Sequence, residues 1–427
     1  MTHTKKPVKF PDMALVKQTL FSSRIRDIPG ALLSSLAVQP FLNKIKPGET
    51  VAVAVGSRGI SGIDQVLFHC LSFLKGKGLI PFIVPAMGSH GGATAEGQCV
   101  VLAKLGITES KMGVPISANM GVECLDELPS GLKLFFSKKA LEADHIVIIN
   151  RVKPHTKFRA DIESGLCKML TIGLGKSAGA VAFHRYAVQQ PFKIIEDAAR
   201  AILKQGRILF GIALLEDGYG DLAHIEAVLP ASFIDRDKTL LREAAGNMGR
   251  IPLDFIDILI IDIIGKDVSG IGMDSNVTGR HRDIVGDFYV APHVKRIFVR
   301  DLSPDSDGNG NGIGLADFTT KRLVDALNME KTYVNAVTAI SPEKAAIPMH
   351  FDTDRKALEV CAATIGLDSM AKARMVRIKD TGRLELLQVS EVFKREILSN
   401  PNLKQIAPWR PMQFDDHGNL MELSAES

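Results

Sequence analysis

Apolar positions along this chain alternate between short unbroken runs and runs with every third or fourth residue apolar. Val51 to Val55 is wholly apolar, as befits a strand covered on both faces in a parallel sheet. The loop GSRG comes next, and Ile63 to Leu74 then carries helical spacing, closed by Lys75 to Gly78. LIPFIVPAM, Leu79 to Met87, is the next strand, so the spacing predicts a βαβ unit. A second strand-end loop, Gly88 to Gly92, leads into a helix opening at Thr94.

Further strands are predicted at Lys133 to Phe136, His145 to Asn150 and Ile208 to Asp217, with helices at Phe192 to Leu203 and Asp235 to Gly249. A new alternation begins near Ile251. It gives strands at Asp257 to Ile264, Arg296 to Leu302 and Met375 to Ile378, and helices at Thr319 to Leu327 and Asp354 to Ile365. The expected class is α/β, with two domains of parallel-rich sheets flanked by helices. They span residues 1–250 and 251–427, and the polar tail after Pro408 is expected on the surface. A chain of 427 residues is too long for one ordinary core, which favours the same division.

Charge changes the picture only by exclusion. Basic and acidic residues number 52 and 48, for a net charge of +4, with no basic stripe interleaved with aromatics, so nucleic acid is not an expected partner. The start MTHTKKPVKFPDMALV lacks the apolar core of a signal peptide, and no apolar run approaches the roughly 20 residues of a membrane span. The five cysteines (70, 99, 124, 167, 361) are widely spaced without a CxxC pair, against a disulfide framework or a zinc ribbon. A cytoplasmic protein is expected.

Candidate chemistry gathers in Asn150 to His184, NRVKPHTKFRADIESGLCKMLTIGLGKSAGAVAFH, which begins at the end of the buried strand HIVIIN. Ligands of open α/β sheets bind where strands end in loops. His155 follows Pro154, which stiffens the backbone that presents the ring. His90 sits in a Gly-flanked loop, where an imidazole has little packing to do. His184, in AVAFHRYAV, has a plain reading as a helix histidine. Lys168, between Cys167 and Met169, is either a snorkelling side chain or an amine made nucleophilic by desolvation. Arg58, between a Gly-Ser turn and a helix, suits a phosphate or carboxylate. The set points to a small anionic ligand.

Two motifs invite readings that their spacing rejects. GLGKSAG (Gly173 to Gly179) lacks the dinucleotide spacing and its closing acidic residue, which leaves a flexible Gly-rich turn. DSDGNGNGIGLA (Asp305 to Ala316) begins like a calcium loop, but Gly312 stands where an apolar residue belongs and Ala316 replaces the bidentate Glu.

Taken in order, GSRG, GSHGG, PH, SGxxK and a later histidine resemble the nickel-dependent lactate racemase family, as do GMDSN (Gly272 to Asn276) and GIGLADFTT (Gly312 to Thr320). Lys168 and His184 stand 16 residues apart, the spacing of that family's cofactor lysine and nickel histidine. The resemblance runs over most of the chain. It implies a 2-hydroxy-acid racemase or epimerase, an isomerase whose active site lies in the cleft between the domains. Its cofactor would be a nickel-pincer nucleotide (Ni pyridinium-3,5-bisthiocarboxylic acid mononucleotide), tethered at Lys168 and ligated through nickel by His184. His90 and His155 would be the paired bases, Arg58 would hold the substrate carboxylate, and the GSRG turn or GLGKSAG the cofactor phosphate. Cofactor-biosynthesis enzymes would be partners. The pattern departs in two places. FRADIE is inserted between His155 and Lys168, and VTGRHR comes after GMDSN where the lactate enzymes present an aromatic residue, a glutamine and a lysine. Arg280 or Arg282 would replace that lysine, which points to a larger or more anionic hydroxy acid than lactate.

Two other classes remain open on the residues alone. A zinc hydrolase would gather His90, His155 and His184 around one metal. A non-catalytic binder of an anionic metabolite would keep the fold and be indifferent to Lys168.

Overall fold

The computed structural model describes residues 8–37, 45–57, 59–188, 193–284 and 286–423. The chain is α/β and divides into two compact units, one of Phe21–Met248 and one joining the residues up to Leu20 to Gly249–Ser427. The N-terminal segment therefore departs from the expected 1–250 grouping. Its strand β1 (Met13–Gln18) runs antiparallel to two strands near the other end of the chain, with Met13 opposite Ser390 and Val16 opposite Gln405.

In the Phe21–Met248 unit, β2 (Thr50–Val55), β3 (Ile80–Pro85), β4 (Val122–Glu127), β5 (Lys133–Ser137), β6 (His145–Arg151), β7 (Ile208–Glu216) and β8 (Leu222–Val228) succeed one another in sequence. Five of them form one sheet, in the order β3-β2-β6-β7-β8. The first four of that order are parallel, and β8 closes the edge antiparallel to β7. Val51 to Val55 are almost wholly buried, which explains why β2 has no polar position to spare. The helix Ile63–Gly76 covers the sheet with Ile63, Val66, Leu67, Cys70, Leu71 and Leu74, a stripe of three- and four-residue steps. The β4–β5 ribbon has no counterpart among the expected elements at β4, whose residues are mostly exposed and so carry no apolar run.

Numbered within the sheet, the strand order is 2-1-3-4-5. In that topology the chain leaves the first strand toward one side and returns on the other, and ligands bind at the carboxyl ends of the two strands flanking the reversal. Here those are β2 and β6, whose ends are in register at Val55 and Ile149, with Pro85 of β3 level beside them. The loops carrying His90 and His155 leave from this edge.

The second unit adds β9 (Phe255–Ile264), β10 (Arg280–His281), β11 (Phe288–Tyr289), β12 (His293–Leu302), β13 (Phe318–Thr320), β14 (Met349–Phe351), β15 (Met375–Asp380), β16 (Arg383–Ser390) and β17 (Leu403–Gln405). Its main sheet has eight strands, in the order β14-β13-β12-β9-β15-β16-β1-β17. Thr319 and Thr320, expected in a helix, belong to β13. Thr320 then caps the helix Lys321–Asp325 by accepting the Leu323 N–H. The tail lies largely on the surface, as expected, and is pinned there. Buried Leu420 gives its carbonyl to Arg300 at 2.7 Å, and Met421 gives its carbonyl to Arg377 at 2.7 Å. Asp262 joins these two arginines in a buried charge network. In the calcium-like loop Asp307 pairs with Lys331 and Asn309 accepts the Asn311 N–H, so its donors are used internally.

No single helix among the described residues is long and apolar enough to cross a membrane. One bent pair, Gly165–Gly173 with Lys176–Ala187, passes by length and composition together.

Candidate functional site

Near the end of strand β6, the Asn150 side chain ties the strand to the turn bearing Lys168, donating Nδ2–H to the Gly165 carbonyl at 2.7 Å. Lys153 N–H donates to Ser164 Oγ at 2.7 Å, closing the intervening segment into a loop anchored at its base. The inserted residues fold inside it around one carboxylate. Glu163, 5% exposed, accepts the His155 N–H at 2.6 Å and the Ala160 N–H at 3.1 Å. Burial pushes the Glu163 carboxyl above its ordinary range, and the two N–H groups oppose that shift. Arg159 donates to the His155 carbonyl at 2.8 Å, and the half-buried His155 ring lies 4.3 Å from the Phe158 ring. The insertion thus sets the backbone of His155. Replacing Glu163 by alanine leaves both N–H groups without this acceptor and is expected to raise hydrogen exchange at His155 and Ala160 by about tenfold or more.

Lys168 ends a single helical turn, Gly165–Lys168, that passes into a wide π turn at Met169–Gly173. Such π turns cluster at functional sites. The turn is held from behind by Asp237 of the helix Phe233–Asn247, which accepts the Leu166 and Cys167 N–H groups at 3.1 and 2.8 Å. Asp237 is 1% exposed, and burial raises its carboxyl to about 6. The half-buried Lys168 donates Nζ–H to the Glu163 carbonyl at 3.3 Å and lies 5.5 Å from the centre of the Phe158 ring. Lys168 and His155 therefore share both Glu163 and Phe158 as neighbours.

Beyond the π turn the chain bends by 107° into the helix Lys176–Ala187, which carries half-buried His184 on its last turn. The Gly-rich bend is packed, in contrast to the flexible turn expected of it. A Cβ on Gly173 would stand 2.8 Å from the Ala86 carbonyl, and one on Gly175 would stand 2.7 Å from that of Thr171. Lys176 is fully buried and donates to the Pro85 carbonyl and, at 3.1 Å, to Gln98 Oε1. Its ammonium thus points into the protein rather than toward a phosphate. Burial lowers its pKa to about 8.

The two neighbouring loops join the same structure. Ser57 Oγ is hydrogen-bonded to Nδ1 of the exposed His90. Gly88 N–H donates to the Gly173 carbonyl at 3.2 Å. A Cβ on Gly56 would meet Met169 at 3.1 Å and Asn150 at 3.3 Å, so this loop lies closely against the π turn. Hydrogen bonds and close packing in one unit thereby connect the segments carrying His90, His155, Lys168 and His184. Arg58 lies outside the described residues.

Asp237, Glu163, Gln98 and Ser57 are not legible as site residues in the sequence. Asp237 leaves a faint signal there, since it occupies the apolar stripe of its helix with Phe233, Leu240, Leu241 and Ala244. The expected arginine alternatives in the second unit are separated by their partners. Arg280 is committed to Asp317 at 2.7 Å and to the Leu315 carbonyl at 2.9 Å, whereas Arg282 is exposed.

Among the described residues, no group of three or more His, Cys, Asp or Glu side chains is arranged to hold a metal ion. A zinc centre built from His90, His155 and His184 lacks that arrangement. A group that brings most of a metal's donors itself asks the protein for one imidazole and one point of attachment. Lys168 offers an amine and His184 an imidazole, on the two arms of the bent helix pair.

No protein-family model matches the sequence, and no curated protein matches it. Among solved structures, the lactate racemase apoprotein from Thermoanaerobacterium thermosaccharolyticum is similar to this chain. The identity is 15% and the TM-score 0.49, over 92% of this chain and 96% of that one. Identity this low does not speak to substrate or to individual residues.

Proposed function

We propose that the protein is an isomerase that inverts C2 of a 2-hydroxy acid, using a nickel-pincer nucleotide tethered at Lys168. The observation carrying this reading is the shared anchorage of Lys168 and His155, next to the His90 loop, at the switch point of the sheet. Lys168 would hold the group and His184 would be the protein ligand to its nickel. When bound, the group supplies a carbon that accepts and returns the substrate's C2 hydride.

The chain's own residues supply the rest. Inverting a stereocentre needs proton transfer to and from the 2-hydroxyl while the acid is held in place. His90 and His155 fill that role as imidazoles on separate loops, which titrate near neutral pH in their ordinary state. Arg58 would hold the carboxylate through a bidentate pair. The loop built on Glu163 borders His155 and so is the natural determinant of which hydroxy acid is accepted, one larger or more anionic than lactate.

The test is production alongside the enzymes that make the cofactor, with peptide mass mapping and metal analysis of the product. The expected result is a mass increment on the peptide containing Lys168, with nickel lost but the increment kept in His184→Ala. Both enantiomers of a hydroxy-acid panel then identify the substrate by chiral chromatography. An unmodified Lys168 under these conditions overturns the reading, and tight binding of a hydroxy acid without turnover would favour a non-catalytic binder.

A further inference from the structure

Lys176 begins its helix at φ 54°, in the left-handed region that favours glycine over lysine. Its surroundings are glycine-rich, with Gly173, Gly175 and Gly179 all nearby in sequence. The backbone alone would be better served by a fourth glycine. Strain held at one such residue needs a compensating interaction, and here the side chain offers one.

That side chain is 0% exposed and is tied to the far side of the His90 loop. Its Nζ donates to the carbonyl of Pro85, where β3 ends, and to Oε1 of Gln98 at 3.1 Å. Gln98, itself 0% exposed, relays the tie by donating Nε2–H to the Gly88 carbonyl at 3.1 Å and toward the His90 carbonyl at 3.5 Å. The loop's own glycines give it no stiffness. Gly88, Gly91 and Gly92 all have positive φ, so without outside ties this segment would sample many conformations. The buried ammonium is compensated by its hydrogen bonds to the Pro85 carbonyl and to Gln98 Oε1.

We propose that Lys176 is a positioning residue for His90, acting through Gln98 and the Pro85 and Gly88 carbonyls to fix the loop that presents the imidazole to the site. The same lysine opens the helix that carries His184 on its last turn, so one side chain sets the His90 loop against the arm bearing His184. The tie does not depend on the proposed reaction. Only the meaning given to His90, as a base, rests on that reading.

The test compares the full chain with Lys176→Met, which keeps length without the amine, with Lys176→Gly, which relieves the backbone, and with Gln98→Leu, which cuts the relay. Hydrogen exchange is measured at the amides of residues 88–94, and the His90 ring titration by NMR, assigned with a His90→Asn control. All three variants are expected to raise exchange in the loop by about tenfold or more, while the helix Phe233–Asn247 keeps its protection. The His90 titration midpoint is expected to move with them, because its bond to Ser57 depends on the loop's placement. Unchanged protection and titration in Lys176→Met would overturn the proposal, as would Lys176→Gly matching or exceeding the parent, which would reduce Lys176 to a backbone position. Loss of folding in both Lys176→Met and Gln98→Leu would also count against it, since a tie local to one loop leaves the sheet intact. None of these readouts needs cofactor, so an unmodified Lys168 and a failed tie are distinguishable results.

Discussion

Replacing Lys168 by methionine is expected to remove the mass increment from the loaded protein and to lower isomerisation by at least about a thousandfold, while leaving the fold nearly untouched. The two halves of that expectation come from different parts of the site. A covalent tether holds a reactive group in one orientation at very high effective concentration, and the corresponding advantage of well-oriented groups reaches roughly 10⁵–10⁸ M. Losing it removes catalysis rather than weakening it. The structural contacts of Lys168 are modest by comparison: a 3.3 Å hydrogen bond to the Glu163 carbonyl and a position 5.5 Å from the Phe158 ring centre. Together these contribute about 1 kcal/mol, and methionine keeps the apolar stem that lies against the turn. The check is a mass measurement on the Lys168 peptide beside a urea titration of the same preparation. If the variant kept its turnover, the lysine would be a snorkelling side chain and the tether would not exist. If it unfolded instead, the amine would be structural, and Lys168→Arg would have to restore stability without restoring turnover.

Much of the first unit is legible in the sequence because its strands are buried on both faces. Val51 to Val55 and Ile146 to Ile149 are unbroken apolar runs, followed by Gly56 and Asn150. Helices such as Ile63–Gly76 show themselves through one apolar stripe. The N-terminal strand is illegible for a physical reason: β1 derives its stability from β16 and β17, whose pairing positions lie at residues 386–405, and local pattern does not encode a partner so distant. The histidines and Lys168 stand out because Gly, Pro and small residues surround them. Their supports do not, since Gln98, Glu163 and Asp237 are polar residues whose role exists only once the loops meet. Lys176 shows the limit most clearly. In the sequence it sits in a Gly-rich segment that reads as a flexible turn, and the structure makes it a buried internal tie.

Substituting Gly165 by alanine should strike both stability and function, because the turn that presents Lys168 begins there. Gly165 has φ 86°, and a Cβ added to it would overlap Asp237 Oδ1. Left-handed strain on a non-glycine residue costs roughly 1–2 kcal/mol. Displacing Asp237 also unsettles the two N–H groups it accepts from Leu166 and Cys167, a buried cap worth about 1–2 kcal/mol more. The expected loss is therefore about 3 kcal/mol, seen as an earlier urea midpoint for the Phe21–Met248 unit, with reduced loading at Lys168. Asp237 adds a pH signature that identifies the mechanism. Its carboxyl is raised by burial to about 6, so the folded state binds a proton more tightly than the unfolded chain. The stabilising contribution is thus fully present below the unfolded value near 4 and is lost as pH rises through 6, amounting to roughly 3 kcal/mol. Asp237→Asn cannot titrate and should lack that decline, although it gives up one acceptor at every pH. Urea midpoints measured between about pH 4 and 7 should fall with rising pH for the parent and not for Asp237→Asn. Parallel curves would mean that Asp237 does not titrate in this range, and the cap would then have to be argued from the Gly165→Ala result alone.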